Sequence, residues 1–308
     1  MRVAVLRCRR LPRFVTWEIP DVDALFTDDR LLIAALGSLG IDAESVVWAD
    51  ADVDWNDFDA AVIRSTWDYV DETDAFLDRL DDIEASSCTL FNSAEVARWN
   101  ADKGYLLDLE RWGVPIVPAM RASAANIAEV REAVARQGWR ELVLKPVVGA
   151  GAMEVRRCSA DDLPHVLDGL QPPHELIVQP LAPAVLGEGE WSVVVIDGVR
   201  SHVLRKTPAP GDFRAHGIYG GSVVDDRLPA ADLPEVDAML ARIPFDLLYM
   251  RVDLIRVAGR LSVLELEAIE PMLYLDRSKG SADVLARAIA ARMSSGSRCN
   301  SMQRIRCK

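Results

Sequence analysis

Short, uninterrupted apolar runs alternate along this chain with stretches whose apolar residues recur at helical spacing. Residues 3–6 form a first strand-like run; residues 28–39 carry helical periodicity, with Gly40 placed to stop the helix. Further strand-like runs follow at 45–48 and 60–63, then a second helical stretch at 73–83. Strand, helix, strand, helix is the order of an open parallel sheet, in which ligands sit beyond the carboxyl ends of the strands. Phe91-Asn92-Ser93 closes this unit, and a helix over residues 94–112, ended by Gly113 and Pro115, leads out of it.

The pattern then predicts a strand at 114–117, a helix at 123–137 and a strand at 141–148 that turns through Gly149-Ala150-Gly151-Ala152 into the next strand. Ser159 and Asp162 open a helix to Leu170 as a capping box, and a strand at 174–181 ends this part. A strand starting near Glu190, a strand at 199–204, a basic loop, a helix at 233–242, a hairpin at 250–271 and a closing helix at 281–293 complete the order. The expected organisation is an α/β unit over 1–113, a smaller unit over 114–181, a third over 182–293, and a tail over 294–308.

Composition narrows the class. With 308 residues, 50% hydrophobic, the chain can bury two or three cores. No apolar run reaches the length of a membrane span and the basic start lacks a signal-peptide core, so a cytoplasmic protein is expected. Five scattered cysteines without a CxxC pair point to neither a disulfide framework nor a zinc site. The net charge of −13 disfavours nucleic acid and anionic membranes as partners. It also makes the acid-free tail conspicuous; lacking apolar periodicity, the tail is expected to be disordered.

The chemistry concentrates in the hairpin MRVDLIRVAGRLSVLELEAIEP. Asp253 interrupts one apolar strand, and Glu265 and Glu267 stand one pleat period apart on the other, hence on one face. Crowded carboxylates resist burial unless a cation neutralises them, and hard oxygen ligands suit Mg2+; a solvated acidic hairpin fits the same spacing. Lys145 lies within an apolar run just before the small-residue loop, which fits a phosphate cradle or a plain hairpin turn. Lys103 falls on the long helix, where a lysine is commonly solvated. Glu190 follows a hinge at Gln179-Pro180-Leu181 and could accept hydrogen bonds from a ribose or be an ordinary loop acid. Arg205, Lys206 and Arg214 crowd a Pro/Gly-rich loop, and basic groups facing an acidic hairpin are the two sides of a phosphoryl-transfer site. The loop from Arg64 to Tyr69 follows the strand at 60–63 and is either a binding loop or a turn with an exposed aromatic pair. No histidine has a partner at zinc spacing, and no GxSxG nucleophile motif occurs.

Lys103, then Lys145 with its Gly loop, a QP hinge with Glu190, a basic loop, and RVD followed by ELE occur in one order. This order resembles the ATP-grasp fold over nearly the whole chain. The resemblance implies an N-terminal parallel α/β (pre-ATP-grasp) domain, a small central lid domain and a C-terminal antiparallel-sheet domain, using ATP and Mg2+ (two ions, with Mn2+ as an alternative) to activate a carboxylate. It further implies that Lys103 and Lys145 contact the phosphates under a loop formed by Gly149, Ala150, Gly151 and Ala152. Gln179, Pro180 and Leu181 would hold adenine through backbone, Glu190 the ribose, and Asp253, Glu265 and Glu267 the metal. Arg251 would stabilise the acyl-phosphate and tetrahedral intermediates, with Lys206 and Arg214 as further catalytic cations. Two departures stand out: Glu267 replaces the commoner asparagine, and Glu270-Pro271 replaces a Ser-Pro-Gly run. IRSTWDY, RWNADKGYLLDL, LRKTPAPGDFR and ELEAIEP look like the D-cycloserine synthetase group, which closes O-ureido-D-serine into a ring. In that reading Arg64, Trp67, Asp68 and Glu270 bind a small amino-acid-like substrate, and a homo-oligomer is expected. An intermolecular carboxylate–amine ligase and a noncatalytic nucleotide-binding module are the alternatives.

Overall fold

A run of apolar residues long enough for a strand but without alternation must be covered on both faces, and Val3, Ala4, Val5 and Leu6 are fully buried. In the computed structural model, which describes residues 1–11, 22–169, 174–215 and 217–303 (backbone alone at 218 and 296–303), they form β1 (Arg2–Arg7). Helix α1 (Thr27–Ser38) buries Leu32, Ala35 and Leu36 and passes through Gly40, at φ +74°, into β2 (Asp42–Val47). After β3 (Ala60–Ser65), helix α2 (Thr73–Ala85) buries Phe76, Leu80 and Ile83, and β4 (Thr89–Phe91) completes a parallel sheet ordered β2-β1-β3-β4.

The helix expected over 94–112 is two helices, α3 (Ala94–Ala101) and α4 (Tyr105–Arg111). They break at Asp102-Lys103-Gly104, where the Lys103 N–H leaves the helical pattern to donate to the Val147 carbonyl at 2.7 Å. A Cβ at Gly104 would meet Arg121 Nη1 at 2.7 Å, so a larger residue there would displace the Arg121 guanidinium. The strand expected at 114–117 is a single parallel bridge, Ile116 to Val263. Next come β5 (Met120–Ala122), α5 (Ile127–Gln137), β6 (Glu141–Pro146), β7 (Arg156–Ser159), α6 (Leu163–Asp168) and β8 (Leu176–Pro180). Their strands form an antiparallel sheet ordered β5-β8-β6-β7. Ser159 accepts from the Asp162 N–H at 3.1 Å, but α6 starts at Leu163 with Asp162 as its N-cap, so the expected capping box opening at Ser159 does not form; Leu170, the expected helix end, lies outside the described residues.

The third sheet, β11-β10-β9-β12-β13, is antiparallel. It contains β9 (Glu190–Ile196), β10 (Val199–Thr207), β11 (Ser222–Asp226), β12 (Tyr249–Val257) and β13 (Arg260–Glu267), preceded by the short helix α7 (Ala184–Gly187) and joined before β12 by α8 (Leu233–Leu240). Helix α9 (Ser281–Gln303) continues past Met293, so the tail expected to be disordered from Ser294 is helical through 303. No proline interrupts it, and the Ser294 and Ser295 hydroxyls donate back to the Ala290 and Ala291 carbonyls. Residues 304–308 lie outside the described residues. Among the described residues no helix is long and apolar enough to cross a membrane.

The first unit holds the end of the acidic hairpin in place. Asn92 donates to the Tyr249 and Ala268 carbonyls (2.8 and 2.7 Å) and accepts from the Leu248 N–H, while Asn100 bonds the Leu266 carbonyl and the Ala268 N–H. Asp28, at the start of α1, accepts three backbone N–H groups, from Leu273 (2.6 Å), Tyr274 (3.1 Å) and Leu275 (2.8 Å). Leu273, Tyr274 and Leu275 belong to the segment that follows the hairpin. A buried N–H left without an acceptor costs about 1–3 kcal/mol. Asp28→Ala should therefore lower unfolding stability by about 3 kcal/mol or more, whereas Asp28→Asn, which keeps one acceptor oxygen, should cost less; the shift of the urea midpoint at constant m-value measures both.

Candidate functional site

The acidic hairpin is not solvated. Strand pairing sets Asp253 opposite Glu265 and Arg251 opposite Glu267, and the register shifts directly after Asp253, a local irregularity that re-aims side chains. One carboxylate oxygen from each of Asp253, Glu265 and Glu267 lies within 4.8 Å of the others, a donor set suited to a hard divalent cation. Each acid is compensated in place. Arg251 forks onto both oxygens of Asp253 (Nε 3.0 Å, Nη2 3.0 Å) and reaches Glu267, while Lys206 Nζ lies 3.0 Å from Asp253 and 3.1 Å from Glu190. Ser192, paired with Asp253 across β9, bonds it at 2.5 Å, and Lys103 Nζ lies 3.4 Å from Glu265.

These partners set the charge states. Burial opposes ionisation of Asp253, but Arg251 and Lys206 outweigh it and hold the carboxyl far below its usual range. Burial likewise opposes Glu265, and Lys103 with Lys145 overcomes it. Glu267 is raised, because burial and the charge of Glu265 exceed what Arg251 returns. Glu190 is pushed up to about 7, chiefly by burial, with Lys206 working the other way.

One cleft gathers most of the expected residues: Lys103, Lys145, Gly149, Ala150, Gly151, Ala152, Gln179, Pro180, Leu181, Glu190, Lys206, Arg214, Arg251, Asp253, Glu265, Glu267, Glu270 and Trp67 all line it. Lys103 reaches the cleft because it sits in the break between α3 and α4, not on a helix face, and its Nζ bonds the Gly149 carbonyl at 2.6 Å. Lys145 is buried, lowered by desolvation, and has no carboxylate at ion-pair distance among the described residues. The small-residue loop beside it turns through left-handed conformations at Gly151 (φ +62°) and Ala152 (φ +55°).

Several expectations are corrected. Arg205 and Lys206 belong to β10 and not to the basic loop; alternation sends Lys206 into the cleft and Arg205 to the other face, 3.7 Å over the Trp191 ring. Arg214 lines the cleft but is held by Asp212 at 2.7 Å and lies 3.5 Å over the Tyr219 ring. His216 lies outside the described residues. The Leu181 N–H is donated to the Glu141 carbonyl, so that hinge donor is already used, whereas Gln179 Oε1 is buried with no protein partner. Arg64 and Asp68 do not line the cleft. Arg64 is buried beneath it, bonding the Pro271 carbonyl at 2.7 Å and lying 3.6 Å from Asp28, and Asp68 accepts from Trp48 and from the N–H groups of Arg9 and Arg10. The sequence reading missed Ser192 and Met272, whereas Tyr69, the end of the candidate binding loop, lines the cleft. Ser192 alone carried a signal, as a polar residue one pleat period from Glu190 in an apolar strand.

Comparison with known proteins identifies the family and the fold. Residues 3–92 match the profile of the N-terminal domain of D-cycloserine synthetase DcsG. The chain is 33% identical over 280 residues to the cycloserine biosynthesis protein DcsG of Streptomyces lavendulae, covering 85% of this chain and 92% of that one. The crystal structure of D-cycloserine synthetase DcsG superposes with a TM-score of 0.80 at 29% identity, over 95% of this chain and 100% of the other. D-alanine–D-alanine ligase from Bacillus anthracis, solved with ATP, shares the fold (TM-score 0.69, 17% identity, 97% and 99% covered). The chain is an ATP-dependent ligase of the ATP-grasp fold and belongs to the D-cycloserine synthetase family.

Proposed function

We propose that the protein cyclises O-ureido-D-serine to D-cycloserine in antibiotic biosynthesis, using ATP to activate the substrate carboxylate as an acyl phosphate and releasing ADP and phosphate. The observation that carries this reading is the convergence of Asp253, Glu265 and Glu267 in one cleft with Lys145 and Arg251, in a chain 33% identical to a cycloserine biosynthesis protein. The atoms balance if the nitrogen next to the substrate's ether oxygen displaces phosphate from the activated carbonyl and one water then hydrolyses the carbamoyl group from that nitrogen, releasing carbon dioxide and ammonia.

In this reading Asp253, Glu265 and Glu267 hold Mg2+, as two ions, and the metal when bound supplies positive charge to the phosphate oxygens. Lys145, buried without a carboxylate partner, and Lys103 take the phosphates; the loop of Gly149, Ala150, Gly151 and Ala152 covers them. Gln179 offers its unpartnered side-chain oxygen on the adenine side, and Glu190 lies near the ribose. Arg251 stays fixed on Asp253 and stabilises the negative charge that develops on the carbonyl oxygen as the ring closes. Such a preorganised cation needs no reorientation during the reaction. Lys206 keeps Asp253 and Glu190 compensated, and Arg214 closes the basic side of the cleft. Trp67, Tyr69 and Met272 wall the opposite end and exclude water from the activated carboxyl.

Incubation with ATP, Mg2+ and O-ureido-D-serine should give D-cycloserine by mass spectrometry, in step with ADP. Phosphate release only after a second amine is added would replace the cyclase by an intermolecular ligase. Chelation with EDTA should abolish ADP release and added Mg2+ should restore it. Glu265→Gln should lower kcat by about 100-fold or more, read by coupled ADP release, because each charged group aimed at the reacting centre typically contributes on that order.

A further inference from the structure

Every acid that lines the cleft on β9, β12 and β13 has a protein cation against it: Glu190 has Lys206, Asp253 has Arg251 and Lys206, Glu265 has Lys103, and Glu267 has Arg251. Glu270 does not. It lines the same cleft, is 8% exposed, and among the described residues has no Lys, Arg or His at ion-pair distance. Its oxygens also stand outside the cluster that brings Asp253, Glu265 and Glu267 within 4.8 Å of one another. Lys103, whose charge bears on it, is committed to Glu265 and to the Gly149 carbonyl. Burying a carboxylate without a counter-charge is costly, and that cost disappears when a ligand brings the counter-charge with it.

Lys145 shows the same arrangement with the opposite sign: it is buried in the same cleft and, among the described residues, has no carboxylate at ion-pair distance. Trp67, Tyr69 and Met272 line the same cleft as Glu270, and such side chains shield an ion pair from water. The cleft thus holds a buried lysine and a buried glutamate that, among the described residues, have no side chain of opposite charge at ion-pair distance.

We propose that Glu270 is the receptor for the α-ammonium group of an amino-acid substrate, and that the Glu270-Pro271 step selects substrates that carry an ammonium next to the carboxylate being activated. This inference rests on the reading of the cleft as an amino-acid-activating site, not on the identity of the ring product. Glu270 makes one ion pair with the ligand, the metal-site acids keep their own cations, and no proton acceptor for the chemistry is assigned to it.

The test is calorimetric binding of O-ureido-D-serine, and of its analogue with hydrogen in place of the α-ammonium, to the wild-type protein with Mg2+ and a nonhydrolysable ATP analogue. The wild type should prefer the ammonium form by about 30-fold, the range of a buried charge-assisted hydrogen bond. Glu270→Gln, which keeps the volume of the side chain, should bring the two ligands to within about threefold of each other with unchanged affinity for the nucleotide, and Glu270→Asp should restore part of the preference. A wild type with no preference for the ammonium form, including one that binds neither, overturns the assignment, as does a Glu270→Gln protein that keeps the preference. A variant that instead needs much more Mg2+ to bind nucleotide makes Glu270 a metal ligand and overturns it too. A wild type that binds with the preference but forms no ring product would sink the cyclase reading and leave the ammonium site standing.

Discussion

The constraint on which this structure depends is that carboxylates buried in a sheet must each meet a positive charge. Asp253 sits in the middle of β12 with only 3% of its surface exposed, and it is tolerable there because Arg251 and Lys206 converge on it and Ser192 donates a third bond. Arg251 then serves two acids, since alternation along β12 puts it on the face of Asp253 and pairing with β13 puts it against Glu267. A network of this kind is satisfied only as a whole, so the face that binds ligand is also a fixed part of the fold. Lys145 and Glu270 stand apart from this network: among the described residues neither has a side chain of opposite charge at ion-pair distance.

The parallel unit contributes more than a wall. Through Asn92, Asn100 and Asp28 it satisfies the backbone where β13 ends and the following segment begins. That segment carries Glu270 and Met272, and the Met272 carbonyl accepts from Arg251 at 3.2 Å, so the hydrogen bonds that pack the first sheet on the third also fix Arg251. Arg64 belongs to this support, since it bonds the Pro271 carbonyl from beneath the cleft.

The parallel sheet, the Gly-loop hairpin and the acidic hairpin were legible because each rests on a local signal: apolar runs covered on both faces, a small-residue turn, and acids one pleat period apart. Lys103 was legible as a residue but not as a place, because the break between α3 and α4 is made by a long-range bond to Val147 that no local pattern reveals. Arg64 and Asp68 misled for a related reason. Their loop does lie at the carboxyl end of β3, but tertiary partners such as Pro271 and Trp48 draw both side chains away from the cleft, leaving Trp67 and Tyr69 to face it. The likeness to the D-cycloserine synthetase group was carried by stretches scattered through the chain, and the fold brings most of them to one cleft.

The central claim is that this cleft activates a carboxylate by phosphorylation before the new bond forms. The direct measurement is turnover with substrate labelled with 18O in its carboxylate, followed by mass analysis of the phosphate released. One labelled oxygen in each phosphate is the predicted result, because an acyl phosphate leaves a carboxylate oxygen behind on phosphorus when the nitrogen displaces it. Unlabelled phosphate accompanying labelled product would contradict the account.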